Sequence, residues 1–243
     1  MNLTQRGLSF YKTLGRRRRR RIPNRLLNNF EYYRVSIQEI SSFSILVPLA
    51  IAGTKLRTGD LKLRLFFLFL LFGAVVDGIG FASYKANEIW KIHGYLLAFY
   101  LVYEAFFFLW IASFNFELGI RTRIRNSIGV VFILLFLTKF YFDFFEGNIL
   151  YSSIIQMFIL IVISFILGFS LLRMAEQRDD ILSYPWFWIL AGIFLYSFGT
   201  FFIDALLYSQ IIDRIWYTRN IINIIQYGFF VVGLLLLPRS PRA

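Results

Sequence analysis

Among the ionisable side chains that stand inside stretches otherwise apolar enough for lipid, Asp77, Glu104, Lys139 and Asp143 are the ones whose types suit acid–base or ion chemistry. Glu104 is the deepest of them. It lies in YLVYEAFFFLW, near the middle of Ile92 to Ser113, whose 22 residues match the ~30 Å hydrocarbon core of a bilayer at about 1.5 Å per residue. A charge at that depth costs roughly 2.5–3.5 kcal/mol on insertion scales, so Glu104 has to be neutral, paired or turned toward a wet cavity. Three kinds of chemistry suit such a residue: general acid catalysis with Asp77 or Asp143 as base, a proton or ion path shared with Lys139, and recognition of a ligand in a polar cavity.

Helical phase gives these residues companions. At about 100° per residue, His93, Tyr100 and Glu104 fall on one stripe, and so do Arg219, Asn223, Gln226, Phe230 and Gly233. Lys139 and Asp143 form an i,i+4 pair that is either a local neutralising pair or a source of a cation for Glu104. Gly73, Asp77, Gly80 and Tyr84 share a face whose small residues permit close approach of a helix or a ligand. The expected cavity is lined by Asp77, Glu104, Lys139, Asn223 and Gln226, with Tyr100, Asp143 and Arg219 as further polar-core candidates. His93, Asp204 and Arg219 lie nearer an interface, where snorkelling to water is the simpler reading, although Asn223 and Gln226 extend the Arg219 stripe below that depth.

The elements that must position these groups are transmembrane helices. The hydrophobic fraction is 58%, aromatics make up 20% and mean hydropathy is +0.63, values that fit a helical bundle in lipid rather than a soluble domain of 243 residues. Only helices or closed barrels satisfy their backbone polar groups in lipid. The expected spans are 35–52, 63–83, 92–113, 127–145, 149–172, 185–208 and 215–237, a single all-α polytopic bundle between an Arg-rich tail (1–34) and a short C-terminal tail (238–243). The first span carries Gln38, Glu39 and Pro48, so the alternative is six spans plus a re-entrant or interfacial segment. All five tryptophans fall near span ends, as an interfacial belt requires.

With no cysteine and one histidine, thiol catalysis, disulfides, a His- or Cys-built zinc site and bis-histidine haem are excluded, and no metal or cofactor is expected. The net charge of +12 is distributed as topology signals are, so no specific nucleic-acid partner is expected. Basic residues gather before the second span (Lys55, Arg57, Lys62, Arg64), before the fourth (Arg121, Arg123, Arg125), before the sixth (Arg173, Arg178) and at the C-terminus (Arg239, Arg242). The other connections hold only Lys85, Lys91, Arg214 and Arg219, which puts the C-terminus in the cytoplasm by the positive-inside rule. The tail with Arg16 to Arg21 suits anionic headgroups at about 1 kcal/mol per basic residue, and it does not read as a cleaved leader.

The stretches YPWFWILAGIFLYSFGTFFIDALLY (Tyr184 to Tyr208) and WYTRNIINIIQYGFFVVGLLL (Trp216 to Leu236), with LRLFFLFLLFGAVVDGIG and the Glu104 segment, carry a resemblance. From Val35 to Leu237 the chain resembles an uncharacterised bacterial family of seven-helix inner-membrane proteins and looks like the membrane-embedded input regions of some sensor histidine kinases. The resemblance implies a seven-helix bundle and a sensing or accessory role, with the signal passed to a partner membrane protein or signalling chain. It implies no functional residues.

An outward-opening sensor cavity is therefore the leading expectation. The alternatives are an intramembrane carboxylate hydrolase or transferase, a structural subunit of a membrane complex, and a transporter or proton path. Serine-hydrolase and membrane aspartyl-protease motifs are missing from the sequence, and so are paired broken-helix repeats of the transporter kind.

Overall fold

The computed structural model describes residues 37–56, 60–83, 89–116, 118–206 and 212–238. The Arg-rich tail, Tyr84, and the basic residues Arg57, Arg239 and Arg242 lie outside the described residues. Within them the chain forms seven helices, each long and apolar enough to cross a membrane. They are α1 (Ile37–Lys55), α2 (Leu61–Ser83), α3 (Ile89–Ser113), α4 (Leu118–Tyr141), α5 (Ile149–Gln177), α6 (Pro185–Leu206) and α7 (Ile212–Leu236). The seven-helix form of the bundle holds, because the first segment is a full helix packed between α2 and α7.

Its irregularity has a local cause. Pro48 supplies no N–H for the Ser44 carbonyl, and α1 is interrupted by a turn at Ile45 before resuming over Leu46–Lys55. At the other end of α1, Lys55 Nζ donates to the carbonyl of Leu237, 2.5 Å away, satisfying an acceptor at the C-terminus of α7.

Helices α1, α2, α3, α5, α6 and α7 pack in sequence as a closed ring, and α4 lies outside it in the angle between α3 and α5. Helices α4 and α5 are joined by a tight connection. A single π-helical turn, Phe142–Glu146, ends α4; Gly147 follows at φ 65°, and Asn148 caps α5 by accepting from Tyr151 N–H. Further round the ring, Gly192 and Gly233 let α6 and α7 touch backbone to backbone: a β-carbon on Gly233 would lie 2.7 Å from the Pro185 carbonyl oxygen.

The two largest boundary differences from expectation have one reason. Helix α4 starts at Leu118, not Ser127, and α5 runs on to Gln177, past Leu172. Hydropathy finds the part of a helix that enters lipid, whereas Arg121, Arg123, Arg125 and Arg173 are sound helix formers that extend it beyond that part. Trp186, in the first turn of α6, is turned into the bundle. It is buried, edge-on to Phe66 with ring centroids 6.3 Å apart.

Inside the ring the two halves differ. Toward the N-terminal ends of α2 and α6, the interior is aromatic. Phe66 meets Phe230 of α7 edge-on at 5.1 Å and Phe107 of α3 at 6.2 Å, and Phe69 stacks on Phe107 at 4.7 Å. Phe66, Phe108 and Phe230 are fully buried, so this layer closes that half of the ring. The opposite half holds the polar residues.

Candidate functional site

Glu104 is buried, one turn of α3 above Phe107 and Phe108. Tyr100, one turn further on, donates its hydroxyl hydrogen bond to the Glu104 carboxylate. Gly73 of α2 makes room for this ring, since a β-carbon there would stand 3.1 Å from the Tyr100 hydroxyl. Gly80 does the same for His93, whose Nε2 lies 2.7 Å from the position of a β-carbon. The stripe His93, Tyr100, Glu104 thus runs along the glycine face of α2, and both i,i+7 spacings were readable from the sequence.

Arg219 of α7 faces Asp204 of α6, with 3.8 Å between Nη1 and Oδ1, and donates to the hydroxyl of Tyr196. Glu104 lies within the field of the same guanidinium and of the half-buried Asp77. Asn223, one turn along α7 from Arg219, donates through Nδ2 to Ser41 Oγ of α1 at 3.2 Å and hydrogen bonds to the Tyr227 hydroxyl. Gln226 is buried one turn deeper, where its backbone carbonyl lies 3.1 Å from the β-carbon position of Gly192.

The result is a polar cluster to which α1, α2, α3, α6 and α7 all contribute. It brings together Asp77, Tyr100, Glu104, Arg219 and Asn223 of the sequence candidates, and Gln226 is buried on the α7 stripe that carries Arg219 and Asn223. Lys139 and Asp143 stand apart from the cluster. Lys139 Nζ donates to Asp143 Oδ2 at 2.6 Å and to Ser152 Oγ of α5 at 2.8 Å, because α4 packs outside the ring and turns this pair toward the end of α5. The cation whose charge acts on Glu104 is Arg219.

Sequence reasoning missed five members. Tyr196, Ser197 and Thr200 line α6, Ser41 lies on α1 and Tyr227 on α7. Asp204 was read as an interfacial residue, yet it is buried against Arg219. The i,i+4,i+8 spacing of Tyr196, Thr200 and Asp204 carried a signal, but hydroxyls inside an apolar run are common and do not stand out. Among the described residues, Ser197 Oγ and Thr200 Oγ1 have no hydrogen-bond partner, although both residues are at most 1% exposed. Buried polar groups are nearly always satisfied, so these two hydroxyls, like Gln156 Oε1 on α5, have hydrogen-bonding capacity left for a water or another polar group.

Chemically, the cluster offers a guanidinium, three carboxylates, three tyrosine hydroxyls and two unsatisfied aliphatic hydroxyls around one interior region. That inventory suits recognition of a small polar molecule. Among the described residues no group of three His, Asp or Glu side chains converges as metal ligands would. Comparison of the chain with family models, curated proteins and solved structures returned no match.

Proposed function

We propose that the chain is a polytopic membrane sensor or accessory protein whose polar cluster binds a small polar ligand. The observation that carries this reading is the pair of buried, unpartnered hydroxyls, Ser197 and Thr200, on the same face of α6 as Tyr196 and Asp204, the partners of Arg219. The aromatic layer around Phe66 supports a receptor over a conduit, since it fills the ring on one side of the cluster. In this reading the basic end of the bundle, with Lys62, Arg64, Arg121 and Arg173, faces the cytoplasm of a bacterial inner membrane, and the cluster opens to the other side. Ligand binding ties α3, α6 and α7 together, and their altered packing passes the signal to a partner chain.

The test is a thermal-shift screen of the detergent-purified chain against amino acids, amines, carboxylates and nucleosides. At least one class should raise Tm in the wild type and fail to do so in Thr200→Val and Glu104→Gln. A panel without effect, together with intact partner complexes in the Glu104→Gln/Gln226→Leu double variant, overturns the proposal.

A further inference from the structure

A second site lies away from the polar cluster, on the outside of the ring where α4 packs on α5. There Ile124 and Ile128 of α4, Val162, Phe165, Ile166 and Phe169 of α5, and Phe116 from the preceding connection line a groove of about 280 Å³. Every lining side chain is apolar. Phe165 and Phe169 are among the most exposed residues of the bundle, so the groove opens to the surroundings of the helices and not to the interior.

On α5 the lining positions Val162, Ile166 and Phe169 continue one helical stripe that ends at Arg173. On α4 the stripe of Ile128 and Ile124 ends at Arg121. The two helices are antiparallel, so both arginines stand at the same end of the groove. Their heads are held there by aromatic rings: Arg173 lies over Phe116, 5.3 Å from the ring centroid, and Arg121 lies over Phe114 at 5.1 Å. Lys62 shares the Phe114 ring at 4.4 Å and feels the charges of Arg121 and Arg178, with Asp60 the carboxylate beside it. Two guanidinium groups, one from α4 and one from α5, thus stand over the rings of Phe114 and Phe116 at the same end of an apolar groove.

We infer that the α4–α5 groove is a binding site for one anionic phospholipid, an acyl chain lying along Phe165, Ile166 and Phe169 and the phosphate between Arg121 and Arg173. Charge complementarity selects this occupant. A helix from a partner or a second copy would match the apolar groove but not the two guanidinium groups at its end, and a free phosphate would match those groups but not the groove. The lipid joins α4 to the ring, which it otherwise touches along only two neighbours. Guanidinium groups suit a phosphate because their planar donors bind it in a bidentate fashion.

Native mass spectrometry and thermal unfolding of the full chain in mixed micelles test the site. Phosphatidylglycerol should remain bound and raise Tm, while phosphatidylcholine and inorganic phosphate should do neither. Arg121→Gln and Arg173→Gln should each weaken phosphatidylglycerol retention about five-fold, the effect of roughly 1 kcal/mol per basic residue. Arg123→Gln removes the same charge from an exposed position of α4 outside the groove and should leave retention unchanged. Ile128→Trp, which fills the groove without touching a charge, should also displace the lipid. Equal retention of both lipids, equal losses in Arg123→Gln and Arg173→Gln, a full effect from phosphate alone, or a lipid-free dimer at the same face would each overturn the assignment.

Discussion

Gly73 of α2 and Tyr100 of α3 fit together with no room to spare: a β-carbon on the glycine would stand 3.1 Å from the tyrosine hydroxyl and 2.9 Å from Cδ1 of Ile45. That contact sets the position from which Tyr100 donates to Glu104, and it joins α1, α2 and α3 at the level of the polar cluster.

Gly73→Ala should therefore act on the site more than on the fold. The colliding atoms are the far ends of side chains, and alanine favours a helix by about 0.5–1 kcal/mol, so stability should change by less than about 1 kcal/mol. The displaced hydroxyl should abolish any ligand-induced Tm shift that depends on Glu104. Thermal unfolding with and without ligand separates the two effects.

Gly233→Ala should behave differently. Its β-carbon would meet the Pro185 carbonyl at 2.7 Å, and backbone cannot yield as a side-chain tip can. A loss of about 1–3 kcal/mol is expected from overpacking α6 against α7. Gly78→Ala, where nothing lies within 4 Å, should be neutral or slightly stabilising under the same unfolding assay.

Arg219 serves Asp204, Tyr196 and Glu104 together, so its loss should exceed that of any one partner. A double-mutant cycle with Arg219→Gln and Asp204→Asn should give a coupling energy of about 0.5–3 kcal/mol. The same cycle between Lys139→Met and Glu104→Gln should be additive within about 0.5 kcal/mol, because Lys139 is engaged by Asp143 and Ser152. Coupling of the second pair would place Lys139 back in the cluster.

How far the sequence reaches follows from the range of each signal. Apolar runs of bilayer length marked all seven helices, and phase within a helix put Tyr100 beside Glu104 and aligned Arg219 with Asn223 and Gln226. Those are properties of one helix at a time. The pairings Arg219–Asp204, Asn223–Ser41 and Lys139–Ser152 depend on which helices are neighbours, and periodicity carries no information on that. The position of α4 outside the ring was equally invisible, and it is what separates Lys139 from Glu104. The first turns of α4 escaped notice because their arginines resemble a loop by hydropathy while remaining helical by propensity.

The absence of cysteine from the chain makes the most direct test of the polar cluster as a binding site a clean one. Thr200→Cys and, as its counterpart in the aromatic layer, Phe66→Cys are exposed in membranes to a charged, water-soluble thiol reagent. Thr200→Cys should react, from the side opposite the basic connections, and a bound ligand should slow it, while Phe66→Cys stays inert from both sides. An inert Thr200→Cys, or a Phe66→Cys that reacts as readily, would contradict a polar cluster open on one side and closed on the other by aromatic packing.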